Sequence, residues 1–273
     1  MSEFLSLPEA IEMYVSDGQT VALEGFTHLI PFAAGHEIIR QRRRNLTLVR
    51  MTPDVIYDQM IGAGCASKLV FSWGGNPGVG SLHRFRDAIE NQWPYPLEIE
   101  EHTHAGMVNR FISGASGLPF ALMRGYQGTD LLSRTENVSF VKCPFTDEQL
   151  LAIASLNPDV SIVHAQQADR AGNVQLWGIT GIQKEAVLSS RRSIVTVEEI
   201  VDEFAPHPGS QIIPAFAITA VVHAPGGAWP SYAHGYYQRD NEAYRKWGII
   251  SKERETFEAW LEETIYSANG QRQ

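Results

Sequence analysis

Short β-branched and aliphatic runs alternate along this chain with longer segments of helical period, the pattern of βαβ units wound around a parallel sheet. The apolar runs at 20–23, 46–49, 68–71, 159–164, 193–197 and 217–223 read as buried strands, with shorter ones at 98–101 and 138–141. Between them, 7–15, 33–42, 82–91, 105–113 and 148–155 read as helices. Ser81 is the expected N-cap of the third, and Gly114 and Gly117 are the expected close of the fourth. Arg40, Arg42, Arg43 and Arg44 gather at the carboxyl end of the second helix, where positive charge suits the helix dipole. The expected architecture is α/β: an open, mainly parallel sheet flanked by helices. No repeat, low-complexity tract or strong linker interrupts it, so 1–273 reads as one domain with a polar helical tail at about 252–267. The stretch 126–135 is the loop that could divide it into lobes.

Composition narrows the function. With 44% hydrophobic and 19% charged residues the chain is an ordinary globular one, long enough to bury a core. Its 31 acidic and 22 basic side chains leave a formal net charge of -9, which argues against nucleic acid as a partner, because neutralising phosphates takes a basic face. Cys65 and Cys143 are too few for a disulfide framework, and no Cys/His spacing suggests a metal site. The first residues lack the basic and apolar regions of a signal peptide, and no apolar run approaches the roughly 18 residues needed to cross a bilayer. A cytoplasmic protein without a membrane partner is the expectation.

Four segments carry candidate chemistry. In 24–31, a glycine directly after a buried strand lets the backbone approach a ligand, and places Phe26, Thr27 and His28 at the strand's carboxyl end. The alternative there is a tight turn with Phe26 in the core. In 72–80, four glycines follow a strand and precede a helix, so Ser72, Gly74, Gly75 and Asn76 read as a backbone-amide cradle for an oxyanion. The glycine order fits neither a dinucleotide fingerprint nor a P-loop. In 100–104, Glu100 and Glu101 are strand neighbours whose side chains point to opposite faces, and Glu101 is taken as the pocket-lining one. His102 and His104 lack a third partner at metal spacing. In 168–173, Asp169, Gly172 and Asn173 form a turn signal, with Asp169 accepting backbone N–H bonds. No nucleophile elbow is present, and Cys143 has no base beside it, so no catalytic residue is assigned to this chain.

Taken together, these segments resemble the A chain of family I coenzyme A transferases of the glutaconate type. The stretch Asp17-Gly18-Gln19-Thr20-Val21-Ala22-Leu23-Glu24-Gly25-Phe26 is similar to the family's opening signature, with Glu24 in place of the first glycine of a pair and Pro31 a residue early. Ala168-Asp169-Arg170-Ala171-Gly172-Asn173 resembles its turn, Thr196-Val197-Glu198-Glu199 the strand and acidic pair that follow, and Ala224-Pro225-Gly226-Gly227-Ala228 its closing segment. The resemblance covers nearly the whole chain.

It implies an enzyme built with a B-type partner subunit that supplies the nucleophilic glutamate. Coenzyme A would be a substrate rather than a resident cofactor, passing between an acyl-CoA and a carboxylic acid through a glutamyl-CoA thioester. No metal is implied. Phe26, Thr27, His28 and the 72–80 loop would then face the acyl group, with Glu101 and Gln127 as further candidates. Two other readings keep the fold: a CoA-thioester decarboxylase or hydrolase whose partner lacks the glutamate, and a non-catalytic module that binds a small ligand.

Overall fold

The computed structural model describes residues 2–76, 79–126 and 128–267. Chain order runs β1 (Glu3–Phe4), α1 (Leu7–Tyr14), β2 (Thr20–Glu24), α2 (Phe32–Arg40), β3 (Leu46–Val49), α3 (Val55–Gly62), β4 (Ala66–Phe71), α4 (His83–Glu90) and β5 (Glu98–Glu101). Helix α5 (His104–Ala115) leads to β6 (Phe120–Met123), a single turn α6 (Leu131–Arg134) and the hairpin β7 (Val138–Lys142) and β8 (Gln149–Ala154). Next come β9 (Val160–Asp169), β10 (Val174–Leu176), α7 (Gln183–Ser189), β11 (Arg192–Val201), β12 (Gln211–Ile213) and β13 (Ala220–His223). Helices α8 (Asn241–Ile250) and α9 (Arg254–Trp260), with a wider turn Leu261–Tyr266, follow them.

Among the described residues the main sheet has ten strands in the order β1-β13-β11-β9-β2-β3-β4-β5, all parallel along that path, with β10 and β12 added antiparallel at the long end of β9. A second, three-stranded antiparallel sheet has the order β6-β8-β7. The parallel strands are near-continuous apolar runs because both faces are covered. Val21 and Leu23 of β2 pack with Ile38, Ile56 and Phe257 on one face, while Ala22 packs with Met107, Phe111 and Ala186 on the other. From β2 the chain winds outward through β3, β4 and β5, and β9 then returns to the opposite side of β2. Strand order reverses at the β2/β9 pair.

Three expectations are corrected. Residues 148–155, read as a helix, form strand β8, whose Leu151 pairs with Met123 and Phe140. A short apolar run has no decisive period, and two flanking strands settled it. Ser81 does not cap α4, which starts at His83 with no capping bond from its own N-cap. Instead Asp58 of α3 accepts the Phe85 N–H at 2.8 Å, capping the helix from across the layer. Gly114 lies inside α5 rather than beyond it, where a Cβ would stand 2.3 Å from Leu156 O. The left-handed residue after that helix is Gly117, at φ 68°.

Candidate active site at the carboxyl edge of the sheet

Three loops at the carboxyl ends of β2, β3 and β4, with the first residue of α5, enclose a cavity of about 190 Å³, lined by Phe26, Thr27, Arg50, Thr52, Asp54, Trp73 and His104. A larger hollow of about 500 Å³, around Glu3, Arg192 and Thr219, lies at the opposite, amino-terminal ends of β1, β11 and β13. Ligands of open α/β sheets bind outside the carboxyl ends of the strands, which selects the smaller cavity. Its volume suits an acyl group rather than a complete nucleotide-sized coenzyme.

The first wall is the turn after β2. Gly25 is required there, because a Cβ would lie 2.6 Å from Leu29 O and 2.9 Å from Ile30 Cα. The chain then passes through left-handed geometry at Thr27 (φ 57°) and Leu29 (φ 53°), a costly conformation for a β-branched threonine. The turn directs Phe26 outward, 40% exposed, into the cavity. His28 goes the other way: it is fully buried, its Nδ1 donating to Ile179 O at 3.1 Å and its Nε2 accepting the His234 N–H at 2.9 Å. Burial lowers its pKa to about 4, so the ring is neutral with both nitrogens engaged.

The second wall follows β3. Arg50 is fully buried, donating to Asp54 Oδ1 at 2.9 Å and to Gly25 O at 2.6 Å, so one guanidinium ties the second loop to the first. Glu24 accepts the Met51 N–H at 3.0 Å, and its burial raises its pKa to about 7 despite the nearby Arg50. The third wall is the glycine-rich loop after β4. Its amides are turned to the second loop: Ser72 N–H and Trp73 N–H donate to Met51 O, Gly75 N–H to Pro53 O, and Ser72 Oγ to Met51 O at 2.6 Å. Gly75 makes room for the Trp73 ring, which a Cβ there would meet at 2.6 Å. What this loop presents to the cavity is that ring, 47% exposed. Asn76 is buried and donates to Tyr244 O at 3.0 Å.

The structure therefore brings Phe26 and Thr27 to the cavity and leaves His28, Gly75 and Asn76 behind it as supports. Ser72 and Gly74 lie on the same loop without lining the cavity. Glu101 is exposed at the end of β5 and apart from it, and Gln127 lies outside the described residues. The buried acid is Glu100, which accepts from His102 at 2.8 Å, Arg110 at 2.6 Å and Asn137 at 2.7 Å and pairs with Lys68 at 3.0 Å. Burial alone would raise its carboxyl, and those donors instead hold it well below the usual carboxylate range. That network fastens β5 to α5 and to the small sheet. Sequence reasoning passed over Arg50, Thr52 and Asp54, although the loop after β3 occupies the same carboxyl edge as its neighbours. Among the described residues no group of three or more His, Cys, Asp or Glu is placed to hold a metal ion.

Residues 4–224 match the family described as coenzyme A transferase. The chain is 62% identical over 265 residues to the A chain of the 3-oxoadipate CoA-transferase of Pseudomonas knackmussii, a match that spans 97% of this chain and 94% of that relative. Its fold is similar to the crystal structure of glutaconate coenzyme A-transferase from Acidaminococcus fermentans, with a TM-score of 0.90 and 30% identity over 97% of this chain and 89% of that one. It is also similar to a variant of the decarboxylase AibA/AibB, with a TM-score of 0.81 and 27% identity over 96% of this chain and 98% of that one.

Proposed function

This chain belongs to the coenzyme A transferase family, and from that premise we propose that it is the A-type member of a two-chain transferase acting on a dicarboxylic acid such as 3-oxoadipate. The observation that carries the reading is the 62% identity, over 97% of the chain, to the A chain of a 3-oxoadipate CoA-transferase. The cavity is consistent with it. Its lining includes aromatic faces and hydroxyls, and its one carboxylate, Asp54, is held by Arg50. The nucleophile then comes from the partner subunit.

In the proposed cycle a partner glutamate attacks the thioester carbonyl and expels CoA thiolate, leaving an acyl-glutamyl anhydride. The thiolate returns to the glutamyl carbonyl, releasing the first acid and forming a glutamyl-CoA thioester. A second carboxylate repeats the two steps in reverse and regenerates the glutamate. This chain's part is to hold the acyl group: Phe26 and Trp73 pack its carbons and exclude water, while Thr27, Thr52 and His104 offer polar contacts to its far end.

The test is to copurify the chain with its native partner and assay exchange of CoA between acyl-CoA donors and 3-oxoadipate. Exchange with ping-pong kinetics, absent from the chain alone, is expected. Turnover by this chain alone would overturn the two-chain reading. Release of carbon dioxide, or of free CoA without an acceptor acid, would put the complex with the decarboxylases or hydrolases.

A further inference from the structure

A second buried polar cluster lies between β9 and β11, away from the cavity lining. Thr196 and Glu198 share one face of β11, two residues apart, and His164 of β9 pairs with Thr196 across the ladder. His164 is fully buried, with Nδ1 2.8 Å from Thr196 Oγ1 and Nε2 2.7 Å from Glu198 Oε1. A carboxylate only accepts, so Nε2 carries the hydrogen. The same Glu198 oxygen accepts the Tyr237 hydroxyl at 2.6 Å, and Oε2 accepts the Gly226 N–H at 2.7 Å. Burial alone would raise the Glu198 carboxyl, and His164, Tyr237 and the Gly226 amide bring it below its ordinary value. A charge is thus kept inside the protein to hold three donors, two of them from the segment 224–240 after β13.

That segment supports the strained turn of the cavity. Ser231 Oγ donates to Thr27 O at 2.9 Å, Leu29 N–H donates to Tyr232 O at 2.9 Å, and His234 N–H donates to His28 Nε2 at 2.9 Å. Ala33 N–H reaches Gly227 O at 3.0 Å, and Tyr237 Oη accepts the Ala228 N–H at 3.1 Å. Gly227 lets the segment lie on the cluster, since a Cβ there would stand 3.0 Å from His164 Cε1. Left-handed geometry at Thr27 and Leu29 persists only where the surroundings over-determine it. Here the over-determining contacts come from 224–240.

We infer that Glu198, His164 and Tyr237 are positioning residues, which fix the segment 224–240 and through it hold the Phe26–Thr27 wall in register for the acyl group. The inference rests on the reading of the chain as one half of a transferase. None of the three side chains lines the cavity; their effect travels through Ser231, Tyr232 and His234.

Tyr237→Phe and Glu198→Gln, made in the full chain and purified with the partner subunit, test it by two readouts. In CoA exchange with 3-oxoadipate, kcat is expected to fall about tenfold or more with KM held within about twofold, because misplacement acts on the transition state. In hydrogen exchange, the Leu29 and His234 amides are expected to open about tenfold faster, while Leu23 in β2 and Ile162 in β9 keep their protection. Unchanged Leu29 protection, or a lower melting temperature with kcat unchanged, would overturn the inference. Ser231→Ala removes one of the supports without touching the buried charge and should reproduce the faster Leu29 exchange; its failure to do so would also overturn it. A parent complex that exchanges no CoA would sink the transferase reading, whereas the Leu29 amide judges the positioning role separately.

Discussion

Glu24 stands where the family's opening signature has a glycine, and it is buried with Oε1 accepting the Met51 N–H at 3.0 Å. Its pKa, raised to about 7 by that burial, makes it a pH-sensitive element of stability. Between about 4.5 and 7 the native state keeps a proton that the unfolded chain has lost, so stability falls as pH rises through that window and the loss is complete above it. At 1.36 kcal/mol per pKa unit the loss is about 3 kcal/mol. Glu24→Gln keeps the acceptor and drops the charge. Urea unfolding should show the variant close to the parent at pH 5 and more stable at pH 8; an equal difference at both would refute the buried-acid account. One residue on, Gly25→Ala places a Cβ 2.6 Å from Leu29 O, where only backbone can give way. A loss of about 1–3 kcal/mol follows from overpacking, with activity in the partner complex falling further than stability. A variant as active as the parent would show that the turn can widen freely.

Elements of this chain are finished as much by distant side chains as by their own ends. Helix α5 has an ordinary cap, Thr103 Oγ1 accepting the Gly106 N–H at 3.0 Å, whereas α4 takes its cap from Asp58. Thr103→Ala should therefore cost about 1 kcal/mol in urea unfolding, while Ser81→Ala, at an exposed position that caps nothing, should stay within about 0.5 kcal/mol of the parent. A larger loss at Ser81 would restore it as the cap. The sequence predicted α5 and the parallel strands other than the two-residue β1 because their periods and flanking signals agree. It did not show α3, whose eight residues are all buried and so carry no amphipathic stripe. Nor did it separate β8 from a helix, because the six residues Gln149–Ala154 are held by pairing with β6 and β7.

Across the whole molecule, the C-terminal elements belong to the core. Phe257, Leu261 and Ile265 are at most 7% exposed and join the main cluster, with Phe257 packed on Trp93, Trp247 and Trp260. At about 1.5–3 kcal/mol for each buried side chain, they contribute an amount comparable with the roughly 5–15 kcal/mol that holds a domain folded. A chain ended at Lys252 should be insoluble or lack a cooperative melting transition; a soluble one melting at the parent temperature would show that the tail is accessory. The sequence by itself determined the buried strands β2, β3, β4, β9 and β11, the glycine turn after β2, the aspartate turn at 168–173 and the family, because each is written in neighbouring residues. Asp169 accepts the Asn173 N–H at 2.9 Å and Gly172 is left-handed at φ 87°, as that local signal required. Only the tertiary structure decided which side chains face the cavity. It turned His28 inward onto Ile179 and His234, and engaged the glycine-loop amides with the carbonyls of Met51 and Pro53. It also brought Arg50 beneath Gly25 and joined Glu198 to His164 and Tyr237, which lie 34 and 39 residues from it in sequence. The physical reason is that a buried donor or acceptor takes whatever partner the packed layers bring within reach, and sequence spacing carries no record of that partner.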